Sequence, residues 1–439
     1  MEFIVNEISQ SEKEVEVTLN YDEIKNEIDD EVKKQARNIQ VPGFRKGKVP
    51  KNILKQRYGN ALEIEASEKV ANARFWQLAK ENNFRPVGQP VMTDIDFNPE
   101  KDFKFKVKYE VVPEIDVKDY KNQLIEIPDL KVKPEEVDKE IYNILRSNSS
   151  NEAAEVVGDD ENYLLDVELT QLNEEGNPDE KSKPEKMQID LSKENVHPDI
   201  KNSAKGKKVG EKFRFHFHDD RAVPNNEGKE ETVTVHFDYE VLINGIQKIQ
   251  LPKLNEELIK KVTKDKISNE EELRKEIEKD ITNYYEQRLE EYARNMLIST
   301  IIKNNDFTPP ASLVDNVLSE LVKSEEERLK NQGMKKVDTN YLKEYLQPSA
   351  LNEVKWYQIK SEIQKKENLK VTDDELEELA KADSEKTGLP VEKLMNYYKT
   401  SNQTERMLDN KLFNFLKMNN EIKRVNPDQL TQKNKEEKE

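Results

Sequence analysis

Between Val32 and Asn60 the chain carries nine basic side chains, Lys33, Lys34, Arg37, Arg45, Lys46, Lys48, Lys51, Lys55 and Arg57, and no acidic one. The whole sequence has 72 Lys and Arg against 90 Asp and Glu, a net charge of −18, so the cluster stands out from its background. At its centre is the run Val41-Pro42-Gly43-Phe44-Arg45-Lys46-Gly47-Lys48-Val49-Pro50. Most charge runs are solvated helix faces. Here an aromatic ring stands among glycines and cations at the tip of a turn, where it has no core to fill. That combination suits docking: the cations steer toward a negative surface such as RNA, and the ring adds apolar burial.

The residue needed for thiol chemistry is missing. No cysteine occurs, which excludes disulfides, thiol nucleophiles and Cys-ligated zinc. Glycine is only 12 of 439 residues, and neither G-x-x-x-x-G-K-[ST] nor G-x-G-x-x-G is present, so no nucleotide-driven step is expected. The four histidines are His197, His216, His218 and His236. His216 and His218 share a strand face and could hold a metal, but they alternate with Phe213, Phe215 and Phe217. The alternation puts them on the solvent side, and neither a metal site nor a cofactor is expected. No Ser/His/Asp set stands out, and paired carboxylates say little at this charge density.

The elements that must carry these residues follow from periodicity. Charged residues make up 37% and hydrophobic ones 34%, against typical values of about 25% and 45–50%. Several small domains or long helices with narrow apolar stripes fit better than one large core. Val15, Val17 and Leu19 alternate as a strand, and Ile24, Ile28, Val32 and Ala36 recur as a helix. Pro50 opens a helix with Ile53, Leu54 and Tyr58, and a second helix follows with Leu62, Ala66, Val70 and Phe75. Phe103 to Val111 alternate again, so residues 1–112 read as an α+β domain with an antiparallel sheet. Residues 113–152 form a connector belonging with the C-terminal part, including a helix from Pro134 to about Arg146. Residues 153–246 are rich in strands. Residues 247–425 are helical, with a stripe from Leu273 to Met296, an interruption at Pro348 and a break at Gly388–Pro390. Residues 426–439 read as a charged, disordered tail. The N-terminus lacks a secretory pattern, and no apolar run approaches the ~20 residues needed to span a bilayer. A soluble, cytoplasmic chain without membrane contact is expected.

The run at the basic tip resembles the signature G-F-R-x-G-K-x-P of the trigger factor family, bacterial ribosome-associated chaperones. It is complete here as Gly43, Phe44, Arg45, Gly47, Lys48 and Pro50, with Lys46 at the variable position. The stretch 112–138 is similar to the family's connector, and the order of parts also agrees. The resemblance implies a multidomain α+β protein: an N-terminal α+β ribosome-binding domain, a β-rich FKBP-like middle domain and an all-α C-terminal arm domain. Residues 43–48 would dock beside the nascent-chain exit on a large-subunit protein and rRNA. The helical arms would hold unfolded nascent polypeptides without ATP, with Met334, Met395, Met407 and Met418 as candidate adaptable contacts. A homodimer away from the ribosome also belongs to this picture.

The middle domain departs from the family pattern. The family's D-F-x-G stands here as Asp166-Val167-Glu168-Leu169. Its F-I-P-G-F-E stands as Val196-His197-Pro198-Asp199-Ile200-Lys201, and the tyrosine beyond falls at Arg221. Prolyl isomerisation in such a domain works by desolvating and twisting the X–Pro amide in an aromatic slot, with no strong acid or base. The set Asp166, Val167, Val196, Pro198, Ile200 and Arg221 is therefore expected to mark a degenerate pocket with weak or lost activity and no catalytic residue. The alternative is an active prolyl isomerase acting on newly made proteins. A periplasmic chaperone or helical scaffold with similar arms is disfavoured by the absent secretory pattern.

Overall fold

The computed structural model describes residues 1–37, 51–98, 101–173, 176–178, 183–224, 230–334 and 337–436, with the backbone alone for 51, 52, 54–56, 60, 219–224, 230–237, 431, 432 and 434–436. The N-terminal elements are β1 (Glu2–Glu7), β2 (Glu12–Leu19), α1 (Tyr21–Ala36), α2 (Lys51–Glu81), β3 (Val87–Asp96), β4 (Phe103–Glu110) and β5 (Leu124–Pro128). There follow α3 (Pro134–Ser147), β6 (Ser150–Ala153), β7 (Tyr163–Leu172), β8 (Glu185–Asp190), α4 (Pro198–Ala204), β9 (Lys212–Pro224), β10 (Glu230–Gln250), α5 (Glu256–Thr263) and α6 (Glu270–Asn304). The chain ends with α7 (Ala311–Asn331), α8 (Thr339–Lys366), α9 (Asp373–Thr387), α10 (Val391–Thr400), α11 (Gln403–Met418), β11 (Glu421–Val425) and α12 (Pro427–Glu436). Two compact units result: one joins residues 1–129 with 289–439, the other is 130–288.

In the first unit, an antiparallel sheet of order β1-β2-β4-β3 is covered on one face by α1 and α2. The alternation in β2 and β4 decides which face. Val15, Val17, Leu19, Phe103, Phe105, Val107 and Tyr109 point inward and meet Ile24 and Ile28 of α1 and Ala66, Val70, Phe75 and Leu78 of α2. Each large apolar side chain so buried contributes about 1.5–3 kcal/mol. Asn20 starts α1, its side chain accepting the Asp22 N–H. Pro90 lies in β3, an edge strand, where its missing N–H and two register shifts are tolerated.

Helix α2 corrects the expectation of two helices: it runs unbroken through Gly59. A helical glycine costs about 1 kcal/mol relative to alanine, less than the burial of the Ala66–Phe75 face returns.

Residues 113–129 are tied to the C-terminal helices of the same unit. The Lys118 N–H donates to Asn305 Oδ1 and the Asn305 amide donates back to the Lys118 carbonyl, both at 2.8 Å. The Tyr120 hydroxyl donates to Glu367 at 2.6 Å, and the Asn122 N–H donates to the Asn419 carbonyl at 2.8 Å. Strand β5 then pairs in parallel with β11, in register from Leu124↔Glu421 to Pro128↔Val425. A C-terminal part expected as all-α therefore contains one strand, which exists because β5, with Ile125 and Ile127 buried, offers it an edge.

Two further corrections concern proline and the tail. Helix α8 continues through Pro348. An interior proline costs about 3 kcal/mol, and the stripe Leu342, Ala350 and Val354, packed against Val314, Leu318 and Val322 of α7, offsets it. Residues 427–436, expected to be disordered, form α12, begun by Pro427, with the Asn426 side chain accepting the Asp428 N–H and Lys433 paired with Glu126. Gly388, at φ +72°, ends α9 in the left-handed conformation that glycine adopts without strain.

The second unit holds a five-stranded antiparallel sheet in which β10 pairs with β6, β7 and β9, and β7 pairs with β8. Its core is Tyr163, Leu165, Val167, Ile189, Leu191, Phe213, Phe215, Val241, Ile243 and Ile246. A helical cluster of α3, α5 and the start of α6 buries Val137, Ile141, Ile259, Leu273 and Ile277. Arg146 of α3 reaches Asp190 of β8 at 2.8 Å. Burial raises the Asp190 carboxyl, but hydrogen bonds from Ser192 and Arg146 outweigh it and hold the group below its ordinary value. Among the described residues no helix is long and apolar enough to cross a membrane.

Candidate functional site

The expected docking residues Gly43, Phe44, Arg45, Lys46, Gly47 and Lys48 lie outside the described residues. What is described is their base. Helix α1 ends at Ala36, helix α2 begins at Lys51, and the two helices pack together on the sheet. Arg74 of α2 pairs with Glu27 of α1 and helps to fix that base. Part of the cationic cluster is already paired within α1. Lys33 meets Asp30 at 2.8 Å and Lys34 meets Glu31 at 2.5 Å. The hydrogen bond from Lys33 holds the Asp30 carboxyl below its ordinary value, and the carboxylates raise both lysines. Arg37 and Arg57 are exposed. The effective positive charge of the region is therefore smaller than the nine bases suggest.

In the middle unit, the residues expected to mark a degenerate pocket are placed in three ways. Val167, on β7, is 1% exposed and belongs to the core, and Val196 and Ile200 pack against that same core. Asp166, also on β7, turns to the other face, where its carboxylate accepts the Gln188 amide at 2.8 Å. Across from it stands Gly245 at a register shift of β10, where a Cβ would lie 3.2 Å from Asp166 Oδ2. Pro198 is exposed and opens α4, with His197 Nδ1 accepting the Asp199 N–H at 3.3 Å. Arg221 lies on β9 opposite Val233 in register, and its side chain is outside the described set.

Aromatic rings are present, arranged as a stack across the strands. Phe215 and Tyr239 lie 5.5 Å apart at 17°, and Phe217 and Tyr239 lie 6.0 Å apart at 9°. The stack packs on the core. On the exposed side of the same strands, His216 meets Asp238 at 2.9 Å beside Arg214, in a polar cavity of about 440 Å³. Among the described residues no group of three His, Asp or Glu is placed to hold a metal.

The helices of the first unit carry an exposed surface that the sequence pattern only partly indicated. Of the candidate methionines, Met334 and Met418 are exposed, Met418 at 81%, whereas Met395 and Met407 pack on the α9–α10 core. Missed altogether were the tyrosines. Tyr341 and Tyr345, one turn apart on α8, are 59% and 67% exposed and stack at 6.1 Å and 13°. Tyr357 and Tyr397 are exposed as well. The offset of Tyr341 and Tyr345 from the apolar positions Leu342 and Leu346, about 100° around α8, was the available signal. Exposed rings with a polar tip make weak, adaptable contacts with both apolar and polar groups.

Residues 1–144 match the family model "Bacterial trigger factor protein (TF)" and residues 271–418 match "Bacterial trigger factor protein (TF) C-terminus", together well over half the chain. The trigger factor of Prosthecochloris aestuarii is 24% identical over 411 residues, covering 93% of each chain. That of Aquifex aeolicus is 28% identical over 405 residues, 89% of this chain and 80% of the relative. A solved structure described as "Promiscuous Substrate Recognition in Folding and Assembly Activities of the Trigger Factor Chaperone" aligns over 95% of this chain and 99% of that one, at 20% identity and a TM-score of 0.48. By these two family matches, the chain belongs to the trigger factor family.

Proposed function

We propose that this protein is an ATP-independent chaperone of the cytoplasm that docks at the ribosomal exit tunnel and shields nascent polypeptides while they fold. The observation that carries the reading is the family match over residues 1–144, which encloses the complete Gly43-Phe44-Arg45-Lys46-Gly47-Lys48 run. In this reading residues 1–112 dock, with Arg45 and Lys46 meeting acidic side chains of a large-subunit protein or rRNA phosphates. The helices in 247–425, with 113–152, hold the client through exposed rings and methionines such as Tyr341, Tyr345 and Met418. Residues 153–246 serve as a scaffold whose isomerase activity is weak or lost, and the burial of Val167 with the core packing of Val196 and Ile200 supports this. Homodimers form away from the ribosome, and sedimentation over a range of concentrations tests that part.

The main test is co-sedimentation with ribosomes. Phe44→Ala combined with Arg45→Glu and Lys46→Glu should remove the protein from the ribosomal pellet. Undiminished binding by the triple variant would overturn the docking role. A refolding assay limited by X–Pro isomerisation separates the two middle-domain readings, and acceleration at the level of an intact FKBP-type slot would favour the active enzyme.

A further inference from the structure

The first turn of α7 lacks a local cap. Its N-cap is Pro310, which has no side-chain acceptor, and the first turn contains no acidic residue. Free N–H groups at a helix start need a partner, and a negative charge there is favoured by the helix dipole. The partner comes from far away in the chain. Glu110, the last residue of β4, accepts the Ser312 N–H at 3.0 Å through Oε2, and the Ser312 hydroxyl donates to the same oxygen. Ser312 is the second residue of α7, one of the positions an N-cap side chain normally serves.

Two further segments of the N-terminal domain meet the same point. Gly88 of β3 has φ +68°, and a Cβ there would stand 2.4 Å from Ser312 Oγ, so this close approach requires glycine. The Thr308 N–H donates to Gln10 Oε1 at 3.3 Å. Three separate stretches of the N-terminal domain thus converge on residues 308–312.

We infer that Glu110, Gly88 and Ser312 form an intramolecular latch, a helix cap supplied from a distant part of the same chain, that holds the α7–α8 hairpin in one position against the N-terminal sheet. The Glu110–Ser312 contacts are charge-assisted and half-buried, so the latch is specific in geometry. The hairpin carries Tyr341 and Tyr345, so the latch sets how those rings are presented relative to the domain bearing the basic tip. That last link rests on the chaperone reading above, whereas the latch itself does not.

The full chain has no cysteine, so Lys104→Cys on β4 and Glu327→Cys on α7, both exposed, can be spin-labelled specifically. The labelled parent should give one narrow distance distribution. Glu110→Ala and Gly88→Val should each broaden it about twofold or more, with Glu110→Gln in between. An unchanged distribution in both Glu110→Ala and Gly88→Val overturns the latch. Broadening accompanied by loss of the sheet's circular-dichroism signal also overturns it, since the domain and not the contact would have opened. In an aggregation assay on a denatured client, the broadened variants should protect about half as well as the parent. Undiminished protection would overturn the link to client holding. The distance measurement needs no ribosome, so failure of the parent to co-sediment would sink the docking reading and leave this one standing.

Discussion

The N-terminal sheet and the middle sheet use the same device, alternation that sends one face of each strand into a core, yet they treat function differently. In the N-terminal domain Phe103, Phe105, Tyr109 and Phe75 are committed to packing, while the basic tip lies in the connection between α1 and α2. Changing residues 43–48 is expected to leave the core untouched, and changing the core to leave their chemistry untouched. In the middle domain an aromatic slot would have to be part of the core itself. Val167 is buried in that core, and Val196 and Ile200 pack against it. A site on a loop is separable from stability, and a site made of core residues is not.

The largest expected effect that tests this difference is on stability. Phe105→Ala should cost about 3–5 kcal/mol in denaturant unfolding, and whatever variant protein remains folded should still bind ribosomes. Next comes the triple change at Phe44, Arg45 and Lys46, expected to weaken ribosome binding about a hundredfold or more while leaving the unfolding midpoint unchanged. A drop in the midpoint would show that the tip packs inside its own domain and would break the comparison. Val167→Phe sharpens it from the other side. Placing an aromatic ring back at this position should overpack the middle core and cost about 1–3 kcal/mol, with no gain in isomerase rate. A gain in rate would mean that the slot needs only one ring.

The smallest effect concerns the belt formed by residues 113–123. Burial, followed by the hydrogen bond to Glu367, pushes the Tyr120 hydroxyl up to about 12 from an ordinary 10.0. The protonated phenol is the form the fold favours, so its stabilisation is complete below pH 10 and is lost as pH rises toward about 12. Tyr120→Phe should flatten the pH dependence of unfolding in that window and cost about 1 kcal/mol at neutral pH. An unaltered alkaline profile would show that another group governs it.

Much of this was visible in the residues. Alternation located β2 and β4, the Pro134 start located α3, and the Leu273–Met296 stripe located most of α6. Residues 43–48 stand out in the sequence because their glycines, ring and cations are adjacent. Hidden features depended on such partners. Gly59 and Pro348 looked like breaks because local propensity opposes a helix there, and packing on the sheet and on α7 overrode it. Strand β11 and helix α12 form against β5, about 300 residues earlier in the chain. Tyr341 and Tyr345 could be placed on the outer face of α8 only once Leu342 was known to face α7.

The amino-acid order alone determined the local chemistry: cations and one aromatic ring set among glycines at residues 43–48, and a chain without thiols or the two glycine-rich nucleotide motifs. Tertiary structure alone decided that Val167 enters the middle core, which helices survive a glycine or a proline, and that Glu110 caps α7. These depend on side chains brought together across hundreds of residues, and no local pattern encodes the free energy of that meeting.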